Sequence, residues 1–178
     1  MTVSRNHMTE TKVGRAHVRI DSSTDGQASV AVRRSYAAGI APGTADHVWR
    51  IVADFGGLKL IFPGLVRLYL TYPDAAETRI GTVRDMAFDP GPGGGALNMG
   101  IERLVALDEA ARTLAYVSVL GLPVTDYRSE MKVTGADECE LAWVSTCRVT
   151  PENLGFLDVL GTILANGANQ IATHLGID

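Results

Sequence analysis

Between residues 101 and 151 the chain alternates apolar and polar residues in four successive runs divided by short polar joints. From Tyr127 to Val133 the odd positions are Tyr127, Ser129, Met131 and Val133, with Arg128, Glu130 and Lys132 between them. From Leu141 to Val149 they are Leu141, Trp143, Ser145, Cys147 and Val149, with Thr146 and Arg148 opposite. A period of two sends successive side chains to opposite faces of a strand, here one dry and one wet. The joints at Asp108–Ala111, Gly121–Pro123 and Gly135–Asp137 suit antiparallel hairpins and are too short for helical crossovers. The pattern predicts a four-strand meander with one dry face.

That face carries more than a core needs. The alternation places Glu102, Tyr116, Ser118, Tyr127, Ser129, Ser145 and Cys147 on it among aliphatic residues. Two readings stand: hydroxyls and a carboxylate inside a ligand cavity, or polar groups that satisfy one another in a solid core.

The flanking segments add strands and helices. Residues 1–27 are polar, ending in Ser22-Ser23-Thr24-Asp25-Gly26, and are expected to form a loosely ordered arm with at most a strand at Ala16–Ile20. Ala28–Ala37 reads as the first firm strand. Pro42-Gly43-Thr44 then turns the chain, with Thr44 placed to cap a helix over Ala45–Phe55, where Val48, Ile51, Val52 and Phe55 recur at helical spacing. Gly56-Gly57 ends that helix, and a short helical turn precedes Pro63. Leu65–Tyr72 and Arg79–Phe88 are the next strands. The glycine- and proline-rich stretch from Asp89 to Asn98 has no phosphate-loop lysine or hydroxyl and no following helix, so it is expected to be a flexible flap that closes over a cavity.

Past the meander, Pro151 and Asn153 lead into a helix over Leu154–Leu175. Leu157, Leu160, Leu164, Ala168, Ile171 and Leu175 form one apolar stripe along it. Gly161 and Gly167 inside it each cost about 1 kcal/mol relative to alanine, which close backbone approach or room for a ligand would explain. The sum is an α+β fold: a seven-stranded antiparallel sheet curved around a long C-terminal helix, with two short helices after the first strand and one domain over residues 28–178.

Composition narrows the function classes. The chain has 178 residues, 46% hydrophobic and 20% charged, with net charge −4. No basic cluster is long enough to track a phosphate backbone, so nucleic acid is not an expected partner. No run has the length of a membrane span and no apolar signal core opens the chain, so the expected address is the cytoplasm. His7, His17, His47 and His174 are scattered, without a metal-ligand spacing. No dinucleotide fingerprint is present, and no cofactor is expected. Cys139 and Cys147 share a predicted strand, about 26 Å apart at ~3.3 Å per residue, and cannot pair within a monomer. Cys147 as a nucleophile lacks a neighbouring histidine, so an inert buried thiol is the favoured reading. Either a monomer or a homodimer is compatible with these features.

The order strand, two helices, six strands, long helix is that of the helix-grip fold. Ala45-Asp46-His47-Val48-Trp49-Arg50-Ile51-Val52-Ala53-Asp54-Phe55 resembles the opening helix of the START-like (SRPBCC) superfamily. Gly81-Thr82-Val83-Arg84-Asp85, the run from Gly100 to Asp108, Asp126-Tyr127-Arg128-Ser129, Trp143 and Pro151-Glu152 extend the resemblance over residues 28–176. The nearest likeness is to the polyketide cyclase/dehydrase branch, with a more distant one to plant abscisic-acid receptors. It implies a cavity between helix and sheet, with its mouth at residues 89–99. The receptors' gate is replaced by a glycine run, their latch by Leu122-Pro123-Val124, and their pocket lysine, near Leu60-Ile61-Phe62, has no counterpart; hormone sensing is not implied. Arg84 and Glu102 match charged pocket-lining positions of these relatives, and Tyr116, Tyr127 and Ser145 match pocket positions.

Glu102, Tyr127 and Tyr116 are therefore the candidate catalytic residues. A carboxylate facing an apolar cavity has its pKa raised toward the range of a general acid–base; the alternative is a structural ion pair with Arg84. The tyrosines could hold a substrate carbonyl and its developing oxyanion, or pack as core aromatics. The candidate substrate contacts are Arg84, Met86, Phe88, Leu104, Ser118 and Ser129, together with Met131, Trp143, Ser145, Ile163, Asn166 and Gln170; Trp143 and Trp49 also suit the core. Two functions share this cavity: a cofactor-free cyclase or dehydratase of lyase or isomerase type acting on an apolar carbonyl compound, and a non-catalytic carrier or sensor of a hydrophobic small molecule or lipid.

Overall fold

Alternation survives in the folded chain: along β8 (Thr125–Gly135) and β9 (Cys139–Arg148), every odd residue from Tyr127 to Val133 and from Cys139 to Cys147 is buried. The computed structural model describes residues 7–37, 43–73, 80–88 and 97–177, with backbone alone at 97–99. The other strands are β1 (His7–Val13), β2 (Ala16–Ser22), β3 (Gln27–Tyr36), β4 (Leu65–Thr71), β5 (Val83–Phe88), β6 (Leu97–Asp108) and β7 (Thr113–Leu120). The helices are α1 (Thr44–Ala53), α2 (Leu58–Ile61) and α3 (Phe156–Leu175), with a single 3-10 turn at Pro151–Asn153 before α3. All strands join one antiparallel sheet in the order β1-β2-β3-β9-β8-β7-β6-β5-β4. The pairing of β3 with β9 breaks an otherwise sequential meander and draws the two ends of the chain together.

The expected seven strands are corrected to nine, because residues 7–22 add the β1–β2 hairpin. In β2, Ala16, Val18 and Ile20 are buried and alternate with His17, Arg19 and Asp21. In β1 no residue is buried, so it carries no hydrophobic period to read; its strand geometry comes from the backbone of β2. Thr44 is likewise not the cap of α1 but its first residue, following Gly43 in a left-handed conformation (φ 79°). Its buried hydroxyl has no hydrogen-bond partner among the described residues. α3 begins two residues later than expected, because the 3-10 turn occupies Pro151–Asn153. Residues 89–96, most of the expected flap, and residues 74–79, in the β4–β5 connection, lie outside the described residues.

α3 lies across the sheet with Leu157, Leu160, Leu164, Ala168 and Ile171 buried. Its two interior glycines are places of close approach. A Cβ at Gly161 would come within 2.8 Å of Val18 Cγ1, and one at Gly167 within 2.9 Å of both Ile61 and Phe62. The lost helix propensity therefore offsets a clash. Polar ties fix the helix axially: Tyr36 Oη donates to the Ala168 carbonyl (2.8 Å), and Asn169 Nδ2 donates to the Val13 carbonyl (2.8 Å) while its Oδ1 accepts from Arg34 Nε (3.1 Å). At the other side of the fold, Trp49 Nε1 donates to Glu109 Oε2 (2.6 Å) and tethers α1 to the β6–β7 turn. Cys139 and Cys147 are both buried and free at opposite ends of β9. Among the described residues no helix is long and apolar enough to cross a membrane.

Overpacking a filled core costs about 1–3 kcal/mol. We expect Gly161→Leu to lose stability in that range, because its side chain must displace Val18, Val30 or Ile20. The midpoint of urea unfolding checks this; an unchanged or raised midpoint would contradict the packing described.

Candidate functional site

A narrow cavity of about 50 Å³ opens between the first half of α3, α2 and the concave side of the sheet. Its apolar wall is Leu58, Phe62, Met86, Phe88, Leu122, Trp143, Phe156, Leu160, Ile163 and Leu164; its polar wall is Arg84, Glu102, Tyr116 and Tyr127. The volume holds a water or two, whereas organic ligands of useful size need roughly 300 Å³ or more. Occupancy by such a molecule requires the walls to part. Phe62, Phe88, Leu122, Phe156 and Ile163 are half-buried and form the yielding side.

The polar wall follows from strand register. Arg84 on β5 and Glu102 on β6 are direct cross-strand partners. The register of β6 against β7 shifts between Ile101 and Glu102 and again between Leu104 and Ala106. Such bulges re-aim side chains, and here they flank the buried carboxylate. Glu102 Oε2 accepts from Arg84 Nε (2.8 Å) and Nη2 (2.6 Å), with both side chains under 10% exposed (6% and 9%). Arg84 Nη1 also donates to the Phe55 carbonyl (3.3 Å), and its guanidinium carbon lies 4.0 Å from the Phe55 ring centroid and 4.8 Å from that of Tyr116. The cation thus packs against two aromatic rings whose centroids lie 6.1 Å apart, contacts stabilised by the ring quadrupoles. Arg84 positions the carboxylate.

Beside this pair runs a chain of hydroxyls. Trp143 Nε1 donates to Ser129 Oγ (2.9 Å) and to Tyr116 Oη (3.1 Å). Ser129 Oγ lies 2.9 Å from Ser145 Oγ, which lies 3.0 Å from Tyr127 Oη. The indole nitrogen can only donate. With that end set, the direction Trp143 to Ser129 to Ser145 to Tyr127 spends each serine hydrogen inside the chain. The contacts among Ser129, Ser145 and Tyr127 can run in either direction; in the direction that runs from Trp143, the Tyr127 hydrogen is left for the cavity that Tyr116 and Tyr127 line.

The titration of these groups has a common cause. Burial raises the Glu102 carboxyl, opposed by the charge and hydrogen bonds of Arg84. Burial also pushes Tyr116 up to about 12 and Tyr127 well above the ordinary phenol value, with the charge of Glu102 acting in the same direction on both. Both phenols stay protonated. The thiols of Cys139 and Cys147 are each pushed up to about 11 by burial, which opposes nucleophilic use of either.

Of the residues singled out in the sequence, Arg84, Met86, Phe88, Glu102, Tyr116, Tyr127, Trp143 and Ile163 come together around the cavity. Ser129 and Ser145 stand behind the wall and connect its tyrosines and tryptophan. Ser118 is the half-buried cross-strand neighbour of Glu102. Leu104 and Met131 are core residues. Asn166 is exposed and Gln170 half-buried on the flank of α3, outside the lining, and His174 is exposed. The ion pair expected between Arg84 and Glu102 forms, and both of its residues line the cavity. Leu58, Phe62, Leu122 and Phe156 complete the lining, beyond the candidate residues of the sequence. Only Phe156 carried a signal, at helical spacing from Leu160 and Ile163; the other three reach the cavity from short segments without periodicity.

Residues 17–175 match the family described as polyketide cyclase/dehydrase and lipid transport. No curated protein matches the chain in sequence. Among solved structures, norcoclaurine synthase from Thalictrum flavum is 23% identical with TM-score 0.62, over 84% of this chain and 93% of that one. The Zhui aromatase/cyclase from Streptomyces sp. R1128 is 21% identical with TM-score 0.60, over 84% and 92%. Major latex-like protein 151 from Panax ginseng is 15% identical with TM-score 0.61, over 84% and 97%. At these identities the likeness is one of fold.

Removing one partner of a buried ion pair costs about 3–5 kcal/mol. We expect Arg84→Met to lose that much near neutrality and less in acid. In the variant the Glu102 pKa rises further above its unfolded value. The stability tied to its protonated form is then fully present below the unfolded carboxyl pKa and lost as pH rises through the folded one. Denaturant unfolding across pH checks this; a loss that grows in acid would contradict it.

Proposed function

The chain belongs to the polyketide cyclase/dehydrase and lipid transport family, and on that premise we propose that it is an enzyme, a cyclase or dehydratase that encloses a neutral, apolar carbonyl compound of polyketide type. The observation that carries this reading is one cavity wall bearing a buried carboxylate with a raised pKa beside two buried, protonated tyrosines. In the reaction, Glu102 takes a proton from the carbon next to a substrate carbonyl. Tyr116 and Tyr127 donate to that carbonyl oxygen as it gains charge. The enolate carbon then attacks a second carbonyl, whose oxygen takes the proton back from Glu102, or the enolate expels a β-hydroxyl that leaves as water with that same proton. The apolar wall holds the reactive conformer and excludes solvent. Arg84 keeps Glu102 in place, and no cofactor is required. Because Arg84 and Glu102 neutralise each other, the wall carries no net charge and favours neutral ligands over carboxylates.

The family also covers lipid transport, and the largely apolar lining suits a carrier that does no chemistry. Turnover and binding of neutral poly-β-carbonyl compounds separate the two. We expect Glu102→Gln to lower kcat by roughly 10²–10⁴-fold with affinity retained, and Tyr127→Phe to lower it by roughly 10²-fold. Tight binding without turnover by the wild-type protein would leave the carrier.

A further inference from the structure

Strand β1 has an unusual situation for a sheet edge. None of its residues is buried, it pairs only with β2, and no described residue pairs with its outer edge. It is nonetheless held in place, since Asn169 on α3 donates to the Val13 carbonyl at its end. An edge strand left open presents unpaired backbone groups to another strand.

The side chains of β1 say which strand fits. Met8, Glu10 and Lys12 stand opposite Asp21, Arg19 and His17 of β2 on the outer face, while Thr9, Thr11 and Val13 stand opposite Ile20, Val18 and Ala16 on the inner one. Antiparallel pairing of β1 with itself about a twofold axis normal to the sheet keeps inner residues against inner and outer against outer. An axis at Glu10 would set Glu10 against its own copy, and an axis at Lys12 would set two lysines face to face. An axis at Thr9 pairs Glu10 with Met8. An axis at Thr11 pairs Thr11 with Thr11, Glu10 with Lys12 and Thr9 with Val13 of the second copy. Only this last register turns both charges into cross-strand partners. It completes an outer-face row of alternating sign from Arg19 through Glu10 to Lys12 of the second copy.

We infer that β1 is a self-complementary interface through which two copies of this chain form an antiparallel dimer with a continuous sheet, its register set by reciprocal Glu10–Lys12 pairs about Thr11. One strand edge buries less than a standard interface, so the dimer is weak and depends on concentration. Lysine and glutamate at mid-edge oppose other registers as much as they favour this one.

Sedimentation equilibrium of the full chain over a concentration series tests this. The wild type is expected to show a monomer–dimer equilibrium that weakens with added salt. Glu10→Lys places like charges at both symmetric pairs and should weaken association roughly tenfold or more. The exchange Glu10→Lys with Lys12→Glu should restore it. Both positions are exposed, so circular dichroism should stay at the wild-type spectrum in each variant, and the unfolding midpoint should move by no more than the weak cross-strand pair of Glu10 with Arg19 is worth. A wild type that is monomeric throughout, a dimer indifferent to Glu10→Lys, or a double exchange that fails to restore association would each overturn the inference.

Discussion

The contact on which the rest depends is that of α3 with the concave side of the sheet, where Gly161 meets Val18 and Gly167 meets Ile61 and Phe62. Without a side chain at either position the helix comes closer than its apolar stripe alone would permit. That approach sets the depth of the space between the first turns of α3 and strands β5 to β9. It also holds Phe62 against the helix, where the ring stacks edge-on with Phe88 (5.5 Å between centroids) and tilts toward Trp143 (6.3 Å). The narrowness of the cavity is thus a property of the helix seat.

The polar wall answers a different constraint. A carboxylate and a guanidinium deep in an apolar fold each carry a desolvation cost that mutual attraction repays only with good geometry and further hydrogen bonds. Arg84 meets the condition through Glu102, the Phe55 carbonyl and two aromatic faces. The hydroxyl chain meets it through mutual contacts and the Trp143 indole, which donates to Ser129 and Tyr116. A solid core would need this degree of polar satisfaction as well, so the network alone does not distinguish a working site from a structural one. Here the satisfied network also lines a cavity.

Most of the architecture was legible because its signals are periodic. Tyr127, Ser129, Trp143 and Ser145 were assigned to one face by alternation alone, and that face is where they lie. What escaped had no period. β1 is exposed on both sides, the bulges beside Glu102 leave the residue pattern unchanged, and Phe62 and Leu122 come from short connections. Asn166 and Gln170 lie beside the stripe of α3 yet stand outside the cavity lining, to which Phe156, Leu160 and Ile163 belong. A stripe marks the buried face of a helix; which end of it borders empty space depends on the sheet beneath.

β9 is the strand that joins the N-terminal part of the sheet to the meander, and a buried thiol stands at each end of it. Cys139 is paired with Tyr36 on one side and Gly135 on the other, while Cys147 lies opposite Ala28. Held protonated and shielded, neither sulfur meets an alkylating reagent until the seam beside it separates. The two cysteines are therefore native clocks for the opening of that seam, one for each end. Their relative rates of modification would tell whether the sheet unzips from the side of α1 or from the side of the Gly26 turn.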